Sequence, residues 1–217
     1  MKYLSECLED SLDSARIERK FVMTKGQCIL AESLLKSIGF ASLYDSRTVT
    51  SIYFDNSDHS SLRANVDGSP SRDKIRCRTY NEDYKKSVIE TKHKRGVVGY
   101  KKIFKLDDKA TNQNHLIRLA QSWCDTNLLD VLAPSSRVDY IRSYYTRDKI
   151  RATVDYEIRS SRIVGKKSIT SALYDYSVIE FKYSVERDEQ FRDAYQIFSD
   201  IAMRNTKSSK YSNSLMY

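Results

Sequence analysis

In Lys74-Ile75-Arg76-Cys77-Arg78 three cations occupy alternate positions. Alternate residues of a β-strand project to the same face, so a strand here arrays three positive charges on one side and sets Ile75 and Cys77 on the other. Such a face repels itself unless anions meet it, and it suits the binding of phosphate oxygens by charge and hydrogen bonds. The layout recurs with mixed sign: Glu90 and Lys92 share a face, as do Glu180 and Lys182, with Ile179 and Phe181 opposite. Arg16, Glu18 and Lys20 share another, and so do Arg151, Thr153 and Asp155. The carboxylates add what cations cannot. A triphosphate commonly travels with a hard divalent ion, which takes carboxylate and phosphate oxygens, so Glu180 is the first candidate ligand and Glu18 and Glu90 are further ones. Glutamate, water and phosphate oxygens do not choose between Mn and Mg.

A solvated outer face, with cross-strand ion pairs of ~0.2–1 kcal/mol each, shows the same alternation in any one strand. Repetition over several strands argues for a shared charged surface, as does a run of three cations without Thr, Ser or Gln between them. A second phosphate-suited segment is Thr206-Lys207-Ser208-Ser209-Lys210-Tyr211-Ser212, with two lysines and four hydroxyl side chains from Thr and Ser. From composition alone a frayed polar tail is the favoured reading. His59, His93 and His115 are scattered, and neither a Ser/His/Asp nor a Cys/His nucleophile pattern is present.

The elements that must position these residues are mostly strands. The pattern predicts strands over 16–22, 49–55, 73–80, 87–92, 100–106, 137–145, 150–158 and 177–183, with a short one near 161–164. Thr24 caps a predicted helix in which Ile29, Leu30, Leu34 and Ile38 form the apolar repeat and Gly39 is the stop. A second helix over 115–132 carries Leu116, Leu119, Trp123, Leu128, Leu129 and Leu132, closed by Pro134, and a third over about 188–203 buries Phe191, Ala194, Tyr195, Phe198 and Ile201. Residues 1–15 form a polar lead-in. The class is α+β, antiparallel, with short connections; the residues leave a closed barrel and an open sheet both possible.

The 217 residues fit one domain with a substantial core. Hydrophobic residues make up 40% and charged residues 30%, which excludes disorder and fibrous repeats. Cys7, Cys28, Cys77 and Cys124 lie too far apart for a zinc spacing or a small secreted disulfide framework and read as reduced thiols. No apolar run reaches the ~20 residues of a membrane span, and the N-terminus lacks a signal peptide's apolar stretch, so a cytoplasmic location is expected. The net charge of +8 favours an anionic partner without choosing among nucleic acid, a membrane surface and a phosphorylated small molecule.

In order along the chain, ERKF from Glu18, SIYFD from Ser51, KIRCR with Tyr80, IETK, YKKIF, YIRSYY, RATVD, VIEFKY and KSSKYS resemble the polyphosphate polymerase domain of the vacuolar transporter chaperone (VTC) complex, within the triphosphate tunnel metalloenzymes. The resemblance spans nearly the whole chain. It implies a single domain over 1–217, built as a closed eight-stranded antiparallel β-barrel with flanking helices, whose basic lumen holds a triphosphate or polyphosphate beside a divalent metal. Carried over by position, Arg76, Arg78, Lys92, Arg142, Arg151 and Glu180 are the implied catalytic residues, with Glu180 the metal ligand. The implied phosphate-binding residues are Lys20, Lys74, Lys101, Lys182, Lys207, Ser209 and Lys210. Lys102 adjoins Lys101, and Arg147 stands as an alternative to Arg142.

The implied reaction moves the terminal phosphoryl group of ATP to a growing polyphosphate chain, with a separate membrane protein needed to export the product. A triphosphatase acting on tripolyphosphate or a nucleoside triphosphate, and a non-catalytic polyphosphate or nucleotide sensor, use the same walls. Nucleic acid is not expected as a partner, because glutamates interleaved with the cations repel a phosphate backbone locally and no familiar reader motif is present. The oligomeric state is left open.

Overall fold

The computed structural model describes residues 16–216 apart from 97, 107, 129, 166, 190, 193–195, 197, 199–203 and 206–208. The chain order is β1 (Arg16–Met23), α1 (Lys25–Ser37), β2 (Ala41–Asp55), α2 (Ser60–Val66), β3 (Ser71–Tyr80), β4 (Val88–Arg95), β5 (Val98–Lys105), α3 (Gln113–Asn127), β6 (Ala133–Arg147), β7 (Ile150–Val164), β8 (Lys167–Leu173), β9 (Ser177–Ser184), β10 (Arg204–Asn205) and α4 (Lys210–Met216). The ten strands form one sheet in the order β10-β1-β9-β7-β6-β2-β3-β4-β5, with β8 pairing β7 off this path.

The closed eight-stranded barrel expected from the sequence is corrected here: the hydrogen-bonded order has two ends, β10 and β5, and no ladder among the described strands joins them. β10 is two residues long and meets β1 only at Phe21 and Val22. Side-chain alternation is the same in a closed and an open sheet, so it carries no information on closure.

Local chemistry explains the elements. Thr24 accepts the Gln27 amide while the Gln27 side chain accepts the Thr24 amide, a capping box that starts α1. At its other end Gly39, at φ +89°, bonds back to Lys36 and Phe40 bonds back to Leu35, the paired bonds of a Schellman stop that need a left-handed residue. The buried stripe of α1 is Cys28, Ala31 and Leu35, with Leu34 and Ile38 packed beside it. Ile29 is 73% exposed and Leu30 is also exposed, so of the expected repeat only Leu34 and Ile38 face the core. β6 and β7 meet in a two-residue turn, Asp148 and Lys149, both at positive φ, as a type I′ hairpin requires. β2 begins eight residues before the expected strand, and Pro134 lies in β6, near its first residue, rather than closing a helix. β8 was not anticipated, and the short strand expected at 161–164 is the end of β7. The third predicted helix falls largely outside the described residues.

Contacts divide the chain into two compact units, with residues of β2, β6 and β7 in each. The first comprises 1–46, 142–156 and 175–207, and its core is Phe21, Phe40, Ala152, Val154, Ile179, Phe181 and neighbours against α1, with Phe191 and Phe198 also buried. The second comprises 47–141, 157–174 and 208–217, and its core sets Ile52, Ile75, Cys77 and Ile89 against Leu116, Ala120 and Cys124 of α3. Cys28, Cys77 and Cys124 are free and buried, and burial pushes the Cys77 and Cys124 thiols up to about 12. No helix among the described residues is long and apolar enough to cross a membrane.

Candidate functional site

In the second unit, β2 to β5 place the predicted cations on one face because Ile75, Cys77 and Ile89 commit the other to the core. Cross-strand register fixes the rows. Tyr53, Arg76, Glu90 and Ile103 are successive partners, and so are Lys74, Lys92 and Lys101. Arg72 faces Lys94 one row further on. Like charges directly opposite one another are destabilising, so three lysines in one row represent stability given up for a charge field.

Glu90 is the counter-charge. It is 4% exposed, and its Oε2 accepts from Arg76 Nε at 2.7 Å and Nη2 at 2.5 Å, with Arg78 Nη1 at 3.4 Å. Lys101 Nζ reaches Oε1 at 3.3 Å. Burial alone would raise the Glu90 carboxyl, but Arg76, Arg78 and Lys101 hold it down to about 2. Arg78, also buried, donates to Tyr140 Oη at 3.1 Å and Ser51 Oγ at 3.3 Å, and Arg76 Nη1 donates to Tyr53 Oη at 3.2 Å. Burial would also raise the Tyr53 phenol, yet the two guanidiniums draw it below its ordinary value.

The C-terminal segment joins this face. Lys74 Nζ donates to Ser209 Oγ at 2.8 Å, and Lys210 Nζ lies 4.8 Å from the centroid of the Tyr140 ring. Tyr211 stacks on Tyr53 and donates to the buried Asp55 carboxylate. Asp55 also accepts the amides of Asn56, Ser61 and Leu62, capping α2, so one carboxylate anchors two helices. Lys207 lies outside the described residues.

In the first unit Glu180 stands between two lysines. Lys20 is its partner in β1 and Thr153 its partner in β7, while Lys182 pairs with Glu18 on one side and Arg151 on the other. Lys20 Nζ and Lys182 Nζ each lie 3.5 Å from Glu180 Oε1, and Lys182 Nζ donates to Glu18 Oε1 at 2.9 Å. Burial would raise the Glu180 carboxyl, but Lys20 and Lys182 hold it below the ordinary glutamate value. Arg142 grips the buried Asp155 carboxylate with Nε at 2.5 Å and Nη2 at 2.8 Å.

The sequence-predicted residues therefore form two groups, each within one unit. Arg76, Arg78, Lys74, Lys101, Ser209 and Lys210 gather around Glu90 and Tyr140, with exposed Lys92 in the lysine row. Lys20, Lys182, Glu18 and Glu180 gather in the other, with exposed Arg151 opposite Lys182. Of the adjacent candidates, Lys101 faces Glu90, whereas Lys102 partners Thr91 on the opposite face. Arg147 bonds its turn neighbour Asp148 and the Ile38 carbonyl instead of Asp155. Tyr53, Asp55, Tyr140 and Tyr211 were missed; SIYFD and KSSKYS contain three of them, and the signal was their polar atoms in otherwise apolar or hydroxyl-rich runs.

Residues 15–217 match the VTC domain family. No curated protein sequence matches at a significant level. Among solved structures, a proposed adenylate cyclase from Vibrio parahaemolyticus is 12% identical, with TM-score 0.54 over 94% of this chain and 99% of that one. A proposed adenylyl cyclase from Hippeastrum, described as revealing a dominant triphosphatase activity, is 13% identical, with TM-score 0.53 over 91% and 94%. A proposed adenylate cyclase from Bacillus halodurans is 14% identical, with TM-score 0.52 over 90% and 94%. At these identities the likeness is one of fold.

Proposed function

Because the chain belongs to the VTC domain family, we propose that it binds ATP and inorganic polyphosphate and transfers the terminal phosphoryl group of ATP to the end of a polyphosphate chain. The observation that carries this reading is the Lys74–Lys92–Lys101 row beside Arg76 and Arg78. So many cations on one face, with Glu90 as the carboxylate among them, suit a ligand bearing several negative charges close together. Along β3 the cations run from Arg72 to Arg78, a reach of ~20 Å at ~3.3 Å per residue, which suits a chain of phosphates.

Phosphoryl transfer asks for positioning and neutralisation more than covalent chemistry. The bond from the terminal phosphorus to the oxygen it shares with ADP breaks, a bond to a terminal oxygen of the acceptor chain forms, and ADP leaves with the electron pair. Arg76 and Arg78 are held by Glu90, Tyr53, Tyr140 and Ser51, so they meet phosphate oxygens with little reorganisation. Lys74, Lys92, Lys101, Ser209 and Lys210 orient the rest of the anion, with Lys207 of the same segment in that role as well.

Among the described residues there is no cluster of three or more His, Cys, Asp or Glu able to hold a metal. An ionised Glu180 with Glu18 on the adjoining row instead fits a Mg- or Mn-type site, in which one or two carboxylates serve and phosphate and water oxygens complete the shell. When bound, such an ion supplies charge neutralisation at the phosphate oxygens. Lys20 and Lys182 keep Glu180 ionised, and Arg142 and Arg151 add positive charge on neighbouring rows.

The test is incubation of purified protein with ATP and Mn, followed by gel separation. Long chains are expected, and Glu180→Gln should lose at least 100-fold in turnover while keeping most tripolyphosphate binding. Free phosphate without chains would instead make the protein a hydrolase, and tight binding with no turnover in the wild type would make it a sensor.

A further inference from the structure

Thr153 occupies the middle of the Arg151-Thr153-Asp155 face of β7. Its neighbours Ala152 and Val154 are fully buried in the core, which turns Thr153 toward the charged side of the sheet. It is 6% exposed, and its Oγ1 is a buried side-chain polar atom without a hydrogen-bond partner among the described residues. Its neighbours on the same face differ: Asp155 is gripped by Arg142, and Arg151 is exposed. Buried hydroxyls nearly always find a partner, and one left unpaired costs the ligand-free protein stability.

The position gives the hydroxyl a meaning. Thr153 is the direct cross-strand partner of Glu180, and Lys20 is the partner of Glu180 on the far side. Directly opposed residues on one face carry Cβ atoms about 5 Å apart. A hydroxyl on the residue directly opposite a carboxylate can hold an oxygen that the carboxylate's own ligand also holds. A valine there would fill the same volume with no polar atom, and threonine is otherwise a poor choice for an enclosed position without a partner.

We propose that the Thr153 hydroxyl is a positioning group for the divalent cation at Glu180, engaging an oxygen of that cation's coordination shell, whether from water or from phosphate. This rests on the assignment of Glu180 as the metal-holding carboxylate and extends it to a residue outside the charged set. Neutral hydroxyls suit the task because a third carboxylate would oppose the phosphate charge, and a further lysine would oppose the cation.

The experiment compares wild type, Thr153→Val, Thr153→Ser and Glu180→Gln by titration with Mn alone, by titration with Mn in the presence of inorganic tripolyphosphate, and by thermal melting without either. Thr153→Val should weaken Mn binding about tenfold, within the range found for groups that support metal ligands. It should leave the melting temperature of the metal-free protein unchanged or higher, since it removes an unpaired hydroxyl. Thr153→Ser should restore Mn affinity to within about threefold of wild type, because it returns the hydroxyl. If valine does not fit, Thr153→Ala lacks the hydroxyl as well and reads the same loss. Comparing the tripolyphosphate and metal-alone titrations tells a phosphate oxygen from a water. The proposal is overturned if the Val and Ala variants bind Mn like wild type while Glu180→Gln does not, a result that leaves the function standing. Wild type that binds no Mn under either condition removes both the proposal and the metal assignment beneath it.

Discussion

Glu90 is nearly enclosed by three cations, and its carboxyl sits at about 2 where 4.5 is ordinary. A carboxyl depressed on folding contributes stability that is present in full above pH 4.5 and is lost as the pH falls through that value toward 2. The shift corresponds to a contribution on the order of 3 kcal/mol at neutral pH. Urea midpoints measured from pH 7 down to pH 3 should therefore fall more steeply for wild type than for Glu90→Gln, which starts about 3 kcal/mol lower because Arg76 and Arg78 lose their counter-charge. Inorganic tripolyphosphate should recover much of that deficit at pH 7, since phosphate oxygens can replace the missing carboxylate; no recovery would mean that the cations here do not meet phosphate. At this scale the sequence reveals that Glu90 and Lys92 share a face, because period-two alternation is local. It does not reveal that Glu90 opposes Arg76, fourteen residues away, since that depends on the ladder register and on the turn between β3 and β4.

Elements whose signals are local were legible, and those held by remote groups were not. The α1 cap and stop could be read because Thr24 and Gly39 adjoin the helix they end. For α2 the capping carboxylate is Asp55, the last residue of β2, and nothing in its own first turn identifies it. Of the expected apolar repeat of α1, Leu34 and Ile38 pack against the core, whereas the bulky Ile29 and Leu30 are exposed and the small Cys28 and Ala31 are buried, so bulk misled only in the first two turns. Through Tyr211, Asp55 also fixes α4, the helix that begins at Lys210. Burial and the Asp55 carboxylate both raise the Tyr211 phenol, so it stays a donor throughout the physiological range. Tyr211→Phe leaves the stack on Tyr53 in place and removes only the hydroxyl, so it should cost about 1–3 kcal/mol in urea denaturation. It should also weaken tripolyphosphate binding several-fold, as Lys210 and Ser209 lose their fixed approach. A stability loss with unchanged anion affinity would separate this helix from the binding face.

For the molecule as a whole, the excess of cations over carboxylates gives +8, and that number alone cannot tell a polyphosphate from a nucleic acid. On the proposed reading placement discriminates: the cations lie in rows on one face of β3 to β5, an arrangement that would suit an anion with charge at every few ångströms and no bulky bases between. Strand and helix periodicity made the antiparallel α+β fold readable, whereas the closure that the family resemblance implied is not found among the described strands, and periodicity could not have tested it, because each strand looks the same beside an open edge as within a ring. A ligand bound only by the folded state should stabilise it by about 2.7 kcal/mol at a hundredfold excess over Kd. For a chain of this length that is a rise of roughly 5–10 °C in Tm. Tripolyphosphate should produce it at low salt, and the rise should shrink steeply between 0.1 M and 1 M NaCl, as the screening length falls from about 10 Å to about 3 Å. Single-stranded RNA at equal phosphate concentration should produce little shift and should be displaced by tripolyphosphate in filter binding, because Glu90 stands among the cations of β3 to β5 that a backbone bound there must pass. An equal shift with RNA, unaffected by tripolyphosphate, would transfer the cationic face from a phosphate chain to a nucleic acid.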